Sequence, residues 1–289
     1  MRSLRGQAMP EQTVPMGPEA FENHGETSLY WLGGAGVMVN SRGTLLLVDP
    51  VMVAEPSLKD GETVWISESD GAPRLRLPPI APSGVKRLDA VLYTHSDGDH
   101  LGRQTALALR ATGCIYHATG ECAEHLRQMG IPEDRMVVHP KLDRFEIGDI
   151  TVQMTLADHP WQKLDPETYH GWHFTEEDCT GYKLYTPDGV VWIPGDTLPR
   201  REHMENSDVD VMFADFSDDP YHYGAKNMIE LCNHLPRAEL IASHWGTLDM
   251  PDSPPQNADP YSVRPFIVPA DRLHILAPGE RYVLKQLGN

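Results

Sequence analysis

The 289-residue chain is poor in positive charge, with 24 Lys and Arg against 42 Asp and Glu and a formal net charge of -18. Nucleic-acid binding depends on Lys and Arg that neutralise phosphates, so this balance, without a local basic patch, predicts no DNA or RNA partner. The sequence lacks any apolar run near the roughly 18 to 20 residues of a membrane span, and its start lacks the apolar stretch of a secretory signal. We therefore expect no membrane partner and a cytoplasmic protein.

Several sequence motifs are also missing. The chain has four cysteines, and no two of them have the CxxC spacing; they are Cys114, Cys122, Cys179 and Cys232. Scattered cysteines of this kind are typical of reduced thiols in a cytoplasmic protein. Ser96 and Ser243 lack the G-x-S-x-G turn of a serine nucleophile. The glycine-rich "LGGAG" at residues 32–36 matches neither a dinucleotide-binding nor a P-loop spacing, so it predicts a tight turn.

Strand and helix patterns alternate along the chain in four blocks. A tail over residues 1–25 precedes a β-rich block in which "NSRG" is the expected hairpin turn. Residues 50–84 are proline-rich without a clean period, which predicts an irregular loop. An α/β block, a β-rich block and a second α/β block follow, and "DRLHILAPGERYVL" is predicted to close the chain as a hairpin. We predict one domain over residues 26–289, with two similar halves packed sheet against sheet and helices outside.

Five apolar strands end in short polar stretches that contain His or Asp. Packing gives no reason for this recurrence, whereas metal ligands must converge from separate elements, and strand ends at one sheet edge hold them rigidly. The pattern therefore predicts a metal centre along one edge, built from "VLYTHSDGDH", "VQMTLADHP", "VVWIPGDT", "VMFADFSDD" and "LIASHWG".

The stretch "THSDGDHLG", residues 94–102, is the most specific of these. It places four potential ligands around Gly98, and this spacing suits a tight loop around two metal ions better than one helix face; they are His95, Asp97, Asp99 and His100. The alternative for Asp99 is an N-cap of the helix that begins near Leu101.

The order of these motifs, "THSDGDHLG" followed by His159, Asp196 in "GDT" and His244 in "SHWG", resembles the metallo-β-lactamase superfamily, whose signature is HxHxDH followed by His, Asp and His. The resemblance covers residues 27–285 and is strongest to the group that contains L-ascorbate-6-phosphate lactonase. It implies an α/β fold, the αββα sandwich, with two mixed β-sheets and helices on the outer faces.

The resemblance also implies a ligand set for two divalent metal ions. One ion is assigned to His95, Asp97 and His159, the other to Asp99, His100 and His244, with Asp196 between them. Asp97 stands where the family has its second His, and a carboxylate oxygen is a harder ligand than an imidazole nitrogen, so the first site shifts from zinc toward manganese or iron. A mononuclear enzyme that uses only the second site stays open, as do His139 or His170 in place of His159.

The expected reaction is hydrolysis, in which a metal-bound hydroxide opens a small-molecule lactone or a related ester or amide. Asp99 is the candidate acceptor of the hydroxide's proton. The loop "FSDDPYHYG" supplies candidates for orienting the substrate or protonating the leaving group, Asp218, Tyr221, His222 and Tyr223, although a plain helix-entry loop explains it equally. Trp161 and Trp172 are candidate pocket walls beside the "YHGWH" loop, which carries His170 and His173. Asp49, at the end of "LLLVDP", is a candidate support for the ligands.

Two other function classes remain open at this stage. A phosphodiesterase acting on a small or nucleotide-derived substrate would place a cation over the metals, and Lys163, Lys226 and Arg103 are the available residues. A non-catalytic metal-binding protein with a degraded site is the second alternative. The expected partner is a small-molecule substrate. The loop at residues 50–84 and the proline-rich segment at residues 248–265 are candidates for a pocket rim or a homo-oligomer contact.

Overall fold

The computed structural model describes residues 2–59, 61–69, 71–164 and 171–285. Within these residues, sixteen strands form two seven-stranded sheets and a separate two-stranded hairpin. The strands are β1 Thr27–Gly33, β2 Gly36–Ser41, β3 Thr44–Val48, β4 Ala54–Lys59, β5 Glu62–Ser67, β6 Ala90–Leu92, β7 Ile115–Ala118, β8 Met136–Val138, β9 Arg144–Ile147, β10 Ile150–Leu156, β11 Thr180–Thr186, β12 Gly189–Ile193, β13 Val211–Asp215, β14 Glu239–Ser243, β15 Leu273–His274 and β16 Arg281–Val283. The α-helices are α1 Arg103–Leu109, α2 Gly120–Met129, α3 Ala225–His234, α4 Pro254–Asn257 and α5 Pro260–Val263.

Each large sheet has an antiparallel part and a parallel part. The first sheet has the order β16-β1-β2-β3-β6-β7-β8, and its pairs are antiparallel up to β3 and parallel from β3 onward. The second sheet has the order β15-β14-β13-β12-β11-β10-β9, antiparallel from β9 to β12 and parallel from β12 to β15. Both sheets are therefore mixed, as predicted.

The side chains of β1 show how the layers form. Successive residues of a strand point to opposite faces, and Leu29 and Trp31 belong to the core between the sheets while Tyr30 and Leu32 belong to a second core. The second core includes Leu109 of α1 and Leu126 of α2, so these helices cover the outer face of the first sheet. Met228 and Leu231 place α3 against the second sheet. The αββα sandwich and the α/β class are confirmed.

Two predicted turns are found where expected. The loop between β2 and β3 consists of Arg42 and Gly43, both with positive φ (48° and 101°), the conformation of a two-residue hairpin turn that follows the strand twist. Asn40 Oδ1 accepts a hydrogen bond from the Gly43 N–H at 2.9 Å. "LGGAG" connects β1 to β2, with Gly33 and Gly34 at φ 97° and 57°.

Two other predictions are wrong. Residues 50–84 are not wholly irregular, because β4 and β5 pair as a largely exposed antiparallel hairpin. Pro56 lies within β4, and this exposed strand lacks an apolar alternation, so the local pattern did not indicate β4. The segment "DRLHILAPGERYVL" is not a hairpin either: β15 pairs with β14 in the second sheet, whereas β16 pairs with β1 in the first.

The N-terminal segment packs against the sandwich. Gln7 Nε2 donates hydrogen bonds to the carbonyl oxygens of Leu248 (2.8 Å) and Gln256 (2.6 Å), and Ala8 and Met16 are buried. All four cysteines are free and buried. Across the described parts of the chain, no helix combines the length and the apolarity required to span a bilayer.

Candidate metal centre

The candidate ligands follow strands whose ends lie at one edge of the sandwich. The carboxyl ends of parallel strands meet at the same edge of a sheet, and β3 is parallel to β6 just as β12, β13 and β14 are parallel to one another. The strand β10 runs in the same direction as β12, because each is antiparallel to β11. The first sheet supplies residues 94–102, and the second sheet supplies His159, Asp196 and His244.

The residues predicted for the first ion come together. Ligand atoms of His95, His159 and Asp196 all lie within 4.8 Å of one another. Asp97 Oδ2 is 3.1 Å from His159 Nε2 and 3.4 Å from His95 Nε2. All four residues are buried, so their polar atoms need compensation from one another or from a bound ion.

The residues predicted for the second ion form an adjacent group. Asp99, His100 and His244 also offer ligand atoms within 4.8 Å of one another. His244 Nε2 is 3.2 Å from Asp99 Oδ2 and 3.2 Å from His100 Nε2. Asp99 is the most accessible carboxylate of the centre, with 29% of its side chain exposed. It therefore faces the direction from which a substrate approaches.

Asp196 lies between the two groups, where the bridging ligand was predicted. Its Oδ2 is 3.1 Å from His100 Nε2 and 3.9 Å from His95 Nε2. One carboxylate oxygen thus lies near a histidine of each group, and the bridging role of Asp196 stays a prediction.

Carboxylates support the histidines of the second group from behind. His100 Nδ1 lies 2.9 Å from Asp49 Oδ2, and Asp49 is fixed in turn by hydrogen bonds from the backbone N–H (2.8 Å) and hydroxyl (2.6 Å) of Thr94. His244 Nδ1 has no hydrogen-bond partner among the described residues, and Asp215 Oδ2 lies 3.7 Å from it, close enough for a charge interaction but not for a hydrogen bond. Such partners orient a metal-binding imidazole and raise its basicity. The contact between Asp49 and His100 agrees with the supporting role predicted for Asp49.

The backbone is strained at two residues of the centre. Asp49 and His244 have positive φ values of 47° and 59°, a region that residues other than glycine rarely adopt and that clusters at functional sites. The His244 N–H donates to the carbonyl oxygen of Gly34 at 2.7 Å. The predicted "LGGAG" turn of the first sheet therefore holds a candidate ligand of the second.

His222 contacts the centre through Asp196. Its Nε2 is 2.8 Å from Asp196 Oδ2, and its Nδ1 is 2.6 Å from Asp219 Oδ2. Burial opposes the charged imidazole, but the carboxylates of Asp196 and Asp219 outweigh it and raise the pKa of His222 to about 11. His222 also offers a ligand atom within 4.8 Å of those of Asp196, Asp215 and His244, so it is itself a candidate ligand.

The other residues of the "FSDDPYHYG" loop differ in position. The Tyr221 carbonyl oxygen is 3.1 Å from His159 Nδ1, and the Tyr221 ring packs edge-on against Trp161, with ring centroids 5.0 Å apart. Asp218 is exposed. Tyr223 is buried, with its hydroxyl 3.3 Å from His203 Nδ1. Tyr221 and His222 thus adjoin the centre, and Asp218 points to solvent.

The electrostatics of the centre favour a bound cation. Burial opposes ionisation of Asp97, yet the imidazoles of His95 and His159 hold its pKa well below the usual value. The pKa of Asp99 falls to about 2 because His244 and His100 outweigh its burial. The pKa of His100 is raised, since Asp196 and Asp49 overcome its desolvation. Buried carboxylates here stay ionised and draw positive charge, which divalent cations supply.

The nitrogen atoms also fit a metal. His95 Nε2 is buried and has no hydrogen-bond partner among the described residues, while His95 Nδ1 pairs with the Thr94 hydroxyl at 3.0 Å. The Nε2 atoms of His100 and His244 lie 3.2 Å apart, and each also lies close to a carboxylate oxygen, that of Asp196 or Asp99. A cavity of about 20 Å³ adjoins His100, Asp196 and His244, enough for one small species. A set of imidazole and carboxylate ligands suits zinc, manganese and iron.

Several residues named from the sequence lie elsewhere. His139 pairs with His117 (2.8 Å) and Asp143 (2.7 Å), so it does not replace His159. His170 lies outside the described residues. Trp172 and His173 are exposed and line a separate surface pocket with His139. Sequence reasoning missed three contacts, those of Asp215, Asp219 and Gln162. Asp215 and Asp219 both lie inside the strand-end motif "VMFADFSDD", whereas Gln162 lies outside all five motifs.

Comparison with known proteins agrees with this geometry. The family model described as "Beta-lactamase superfamily domain" matches residues 44–245. A UPF0173 metal-dependent hydrolase of Pyrobaculum calidifontis is 23% identical over 86% of this chain and 96% of its own. A probable L-ascorbate-6-phosphate lactonase of Shigella boydii is 24% identical over 68% of this chain and 62% of its own. The metallo hydrolase Igni18 of Ignicoccus hospitalis superposes with a TM-score of 0.64 at 17% identity, covering 90% and 98% of the two chains.

The chain belongs to the β-lactamase superfamily, because the family model matches well over half of its residues. At the level of reaction class, it is a metal-dependent hydrolase of that superfamily.

Proposed function

We propose that the protein hydrolyses an ester bond in an uncharged small molecule, with lactones as the leading substrate class. The observation that carries this proposal is the excess of carboxylates around the candidate centre without a neighbouring Lys or Arg. The distant similarity to the probable L-ascorbate-6-phosphate lactonase supports ring opening, although the substrate in that protein's name carries a phosphate.

The charge balance argues for a neutral substrate. Two divalent ions bring four positive charges, which Asp97, Asp99, Asp196 and the adjacent Asp49 offset with four negative ones. Every Lys and Arg of the chain falls within the described residues, and none forms an ion pair with Asp49, Asp99 or Asp196. An anionic phosphodiester therefore gains little attraction here beyond its direct contact with the ions.

The Lys and Arg side chains that a phosphodiesterase would need over the metals do not contact the candidate ligands. Lys163 Nζ pairs with Asp158 Oδ1 at 3.4 Å, and Lys226 and Arg103 are exposed. None of the three contacts the candidate ligands. Phosphodiester hydrolysis is therefore the weaker of the two hydrolytic functions.

Residues of the chain provide the proton transfers of ester hydrolysis. Metal ions held by the candidate ligands would activate water near neutral pH and polarise the carbonyl group of the substrate. Asp99, the most accessible carboxylate, accepts the proton of the attacking water. His222, held between Asp196 and Asp219, donates a proton to the leaving oxygen. Trp161, which is 46% exposed beside Tyr221, offers an apolar wall for the rest of the substrate.

The proposal includes two metal ions. The groups around His95 and His159 and around His100 and Asp99 support two sites, and a third group, formed by Asp196, Asp215, His222 and His244, overlaps both. The carboxylate of Asp97 favours manganese or iron over zinc in the first site. A small molecule is the proposed partner. A possible homo-oligomer, the absence of a nucleic-acid partner and a cytoplasmic location stay predictions.

The test is hydrolysis by the metal-loaded protein of uncharged γ- and δ-lactones, aryl esters and bis(p-nitrophenyl) phosphate. The expected result is turnover of a lactone or ester that exceeds turnover of the phosphodiester. Asp99→Asn should abolish that turnover, and Asp218→Asn, an exposed neighbour on the same edge, is the matched control. Preferred turnover of the phosphodiester would replace the proposal with the phosphodiesterase. Bound metal without turnover of any substrate class would favour a non-catalytic metal-binding protein.

A further inference from the structure

The carboxylate of Asp97 is held from two sides. Its Oδ2 faces the nitrogens of His95 (3.4 Å) and His159 (3.1 Å), whereas its Oδ1 accepts a hydrogen bond from Gln162 Nε2 at 3.1 Å. The two oxygens therefore have different surroundings. One points toward the candidate first site, and the other is engaged by a neutral amide.

Local structure fixes the position of Gln162. It lies in the short 3-10 helix Pro160–Lys163 that begins directly after His159, and its side chain is completely buried. The same turn of chain thus carries a candidate ligand and the amide that contacts Asp97. Gln162 Nε2 also lies 3.3 Å from Ser96 Oγ, beside Asp97 in the sequence.

The orientation of the Gln162 amide follows from its partners. An ionised carboxylate only accepts hydrogen bonds, so the amide nitrogen must face Asp97. The amide oxygen then faces the buried thiol of Cys179, with Sγ 3.2 Å from Oε1. A thiol is a weak donor and the oxygen is an acceptor, so this contact secures the same orientation. Cys179, Gln162 and Asp97 form one directed chain of hydrogen bonds that ends at the candidate first site.

We propose that Gln162 is a positioning residue that holds Asp97 as a one-oxygen ligand of the first metal ion. A carboxylate can bind a metal through one oxygen or both, and a hydrogen bond to Oδ1 favours binding through Oδ2 alone. Asp97 then supplies a single donor atom, as the histidine of the family pattern does. The inference rests on the proposed function, because it requires a metal in the first site.

The test compares metal binding by wild type, Gln162→Met and Gln162→Glu, which have similar side-chain length but lack the amide donor. Calorimetric titration with Mn²⁺ and elemental analysis after dialysis give the affinity and stoichiometry, and electron paramagnetic resonance distinguishes paired from single Mn²⁺ ions. Both variants should lose about 10- to 100-fold in first-site affinity, the usual effect of removing a hydrogen-bond partner of a ligand. The spectrum should change from paired to single ions while second-site binding persists.

Three further variants separate positioning from packing. Cys179→Ser keeps a donor to the Gln162 oxygen and should retain wild-type binding, whereas Cys179→Ala should weaken the first site to a smaller degree than Gln162→Met. Gln153→Met is the matched control, because the Gln153 amide donates to the Leu142 carbonyl oxygen away from the centre. Persistent second-site binding shows that each variant is folded.

Unchanged first-site affinity in Gln162→Met and Gln162→Glu would overturn the inference. Equal loss at both sites would also overturn it, since Gln162 would then act through general packing. Wild type that binds no Mn²⁺ or Zn²⁺ would instead refute the metal-dependent function itself. The two failures are therefore distinguishable.

Discussion

The two halves of the candidate metal centre are supported in different ways. In the second half, Asp49 contacts His100 at 2.9 Å and Asp215 lies 3.7 Å from His244, so charged groups stand behind the imidazoles. In the first half, the hydroxyl of Thr94 pairs with His95, and the backbone carbonyl of Tyr221 with His159. Among the described residues, the supports of the first half are neutral, and its only charged candidate ligand besides the shared Asp196 is Asp97.

This difference suggests that the two sites differ in metal affinity and in what determines their metal preference. Carboxylates behind an imidazole increase its basicity and its affinity for a metal, so the second site should bind its ion more tightly. The first site obtains its negative charge from a ligand itself. We therefore expect its affinity and metal preference to depend on the orientation and identity of residue 97.

The largest effect is expected from removal of the carboxylate that the two halves of the centre share. Asp196→Asn withdraws the carboxylate that contacts His95 and His100, so both ions should bind at least about 100-fold more weakly and hydrolysis should fall to background. Elemental analysis of dialysed protein measures the loss. Asp188→Asn, at the β11–β12 turn, is the control and should retain its metal. Loss at only one site would show that Asp196 does not bridge.

Asp49→Asn should weaken metal binding in the second half of the centre more than in the first. It removes the charge behind His100 while keeping an oxygen for Thr94, so second-site affinity should fall about 10- to 100-fold. First-site affinity should change less, because Asp49 contacts neither His159 nor Asp97 in the described structure. Calorimetric titration of the two sites with Zn²⁺ provides the measurement. An equal decrease at both sites would contradict the proposed difference.

Asp97→His makes the two halves more alike. It places an imidazole where the family pattern has one, and the first site should gain zinc relative to manganese because nitrogen is the softer ligand. The ratio of zinc to manganese in protein purified without chelator measures this change, with Asp188→Asn grown in parallel. A ratio equal to that of wild type would mean that residue 97 does not set the preference.

The smallest effect concerns stability without metal chemistry. Glu68 accepts hydrogen bonds from the backbone N–H groups of Gln104 (2.7 Å) and Thr105 (3.0 Å), and so caps α1, whose own N-cap, Gly102, has no side chain. Glu68→Gln should lower the free energy of unfolding by about 1 kcal/mol, measured by urea denaturation. Metal content should stay that of wild type. A parallel loss of metal would connect the cap to the centre.

Much of the centre was predictable because the signal is local. A buried strand that ends in His or Asp is visible in one stretch of sequence, and the parallel topology brings such ends together. Support by Asp49 could be inferred from its place after β3. The contact of Gln162 with Asp97 could not, because the two residues lie far apart in sequence. The contact of Asp219 with His222 spans only three residues, but it depends on a loop conformation that no periodicity encodes.

The same distinction explains the errors in the fold. The turn at Arg42 and Gly43 was predictable because adjacent strands pair across it. The segment that contains β15 and β16 has equally plausible turn residues, but its strands pair with β14 and β1, which lie far away in the sequence. Strand partners are chosen by tertiary packing, and local pattern does not carry that information.

The origin of the candidate ligands in two different sheets has a mechanical consequence. An ion bound by His95 and His159, or by His100 and His244, joins the halves of the sandwich at an edge where the Gly34 contact with His244 already connects them. A metal that binds only the folded chain adds about 2.7 kcal/mol to its stability at a free concentration 100 times the dissociation constant. A bound ion would therefore hold the two sheets together at this edge, and chelation should loosen this edge of the molecule before the opposite one.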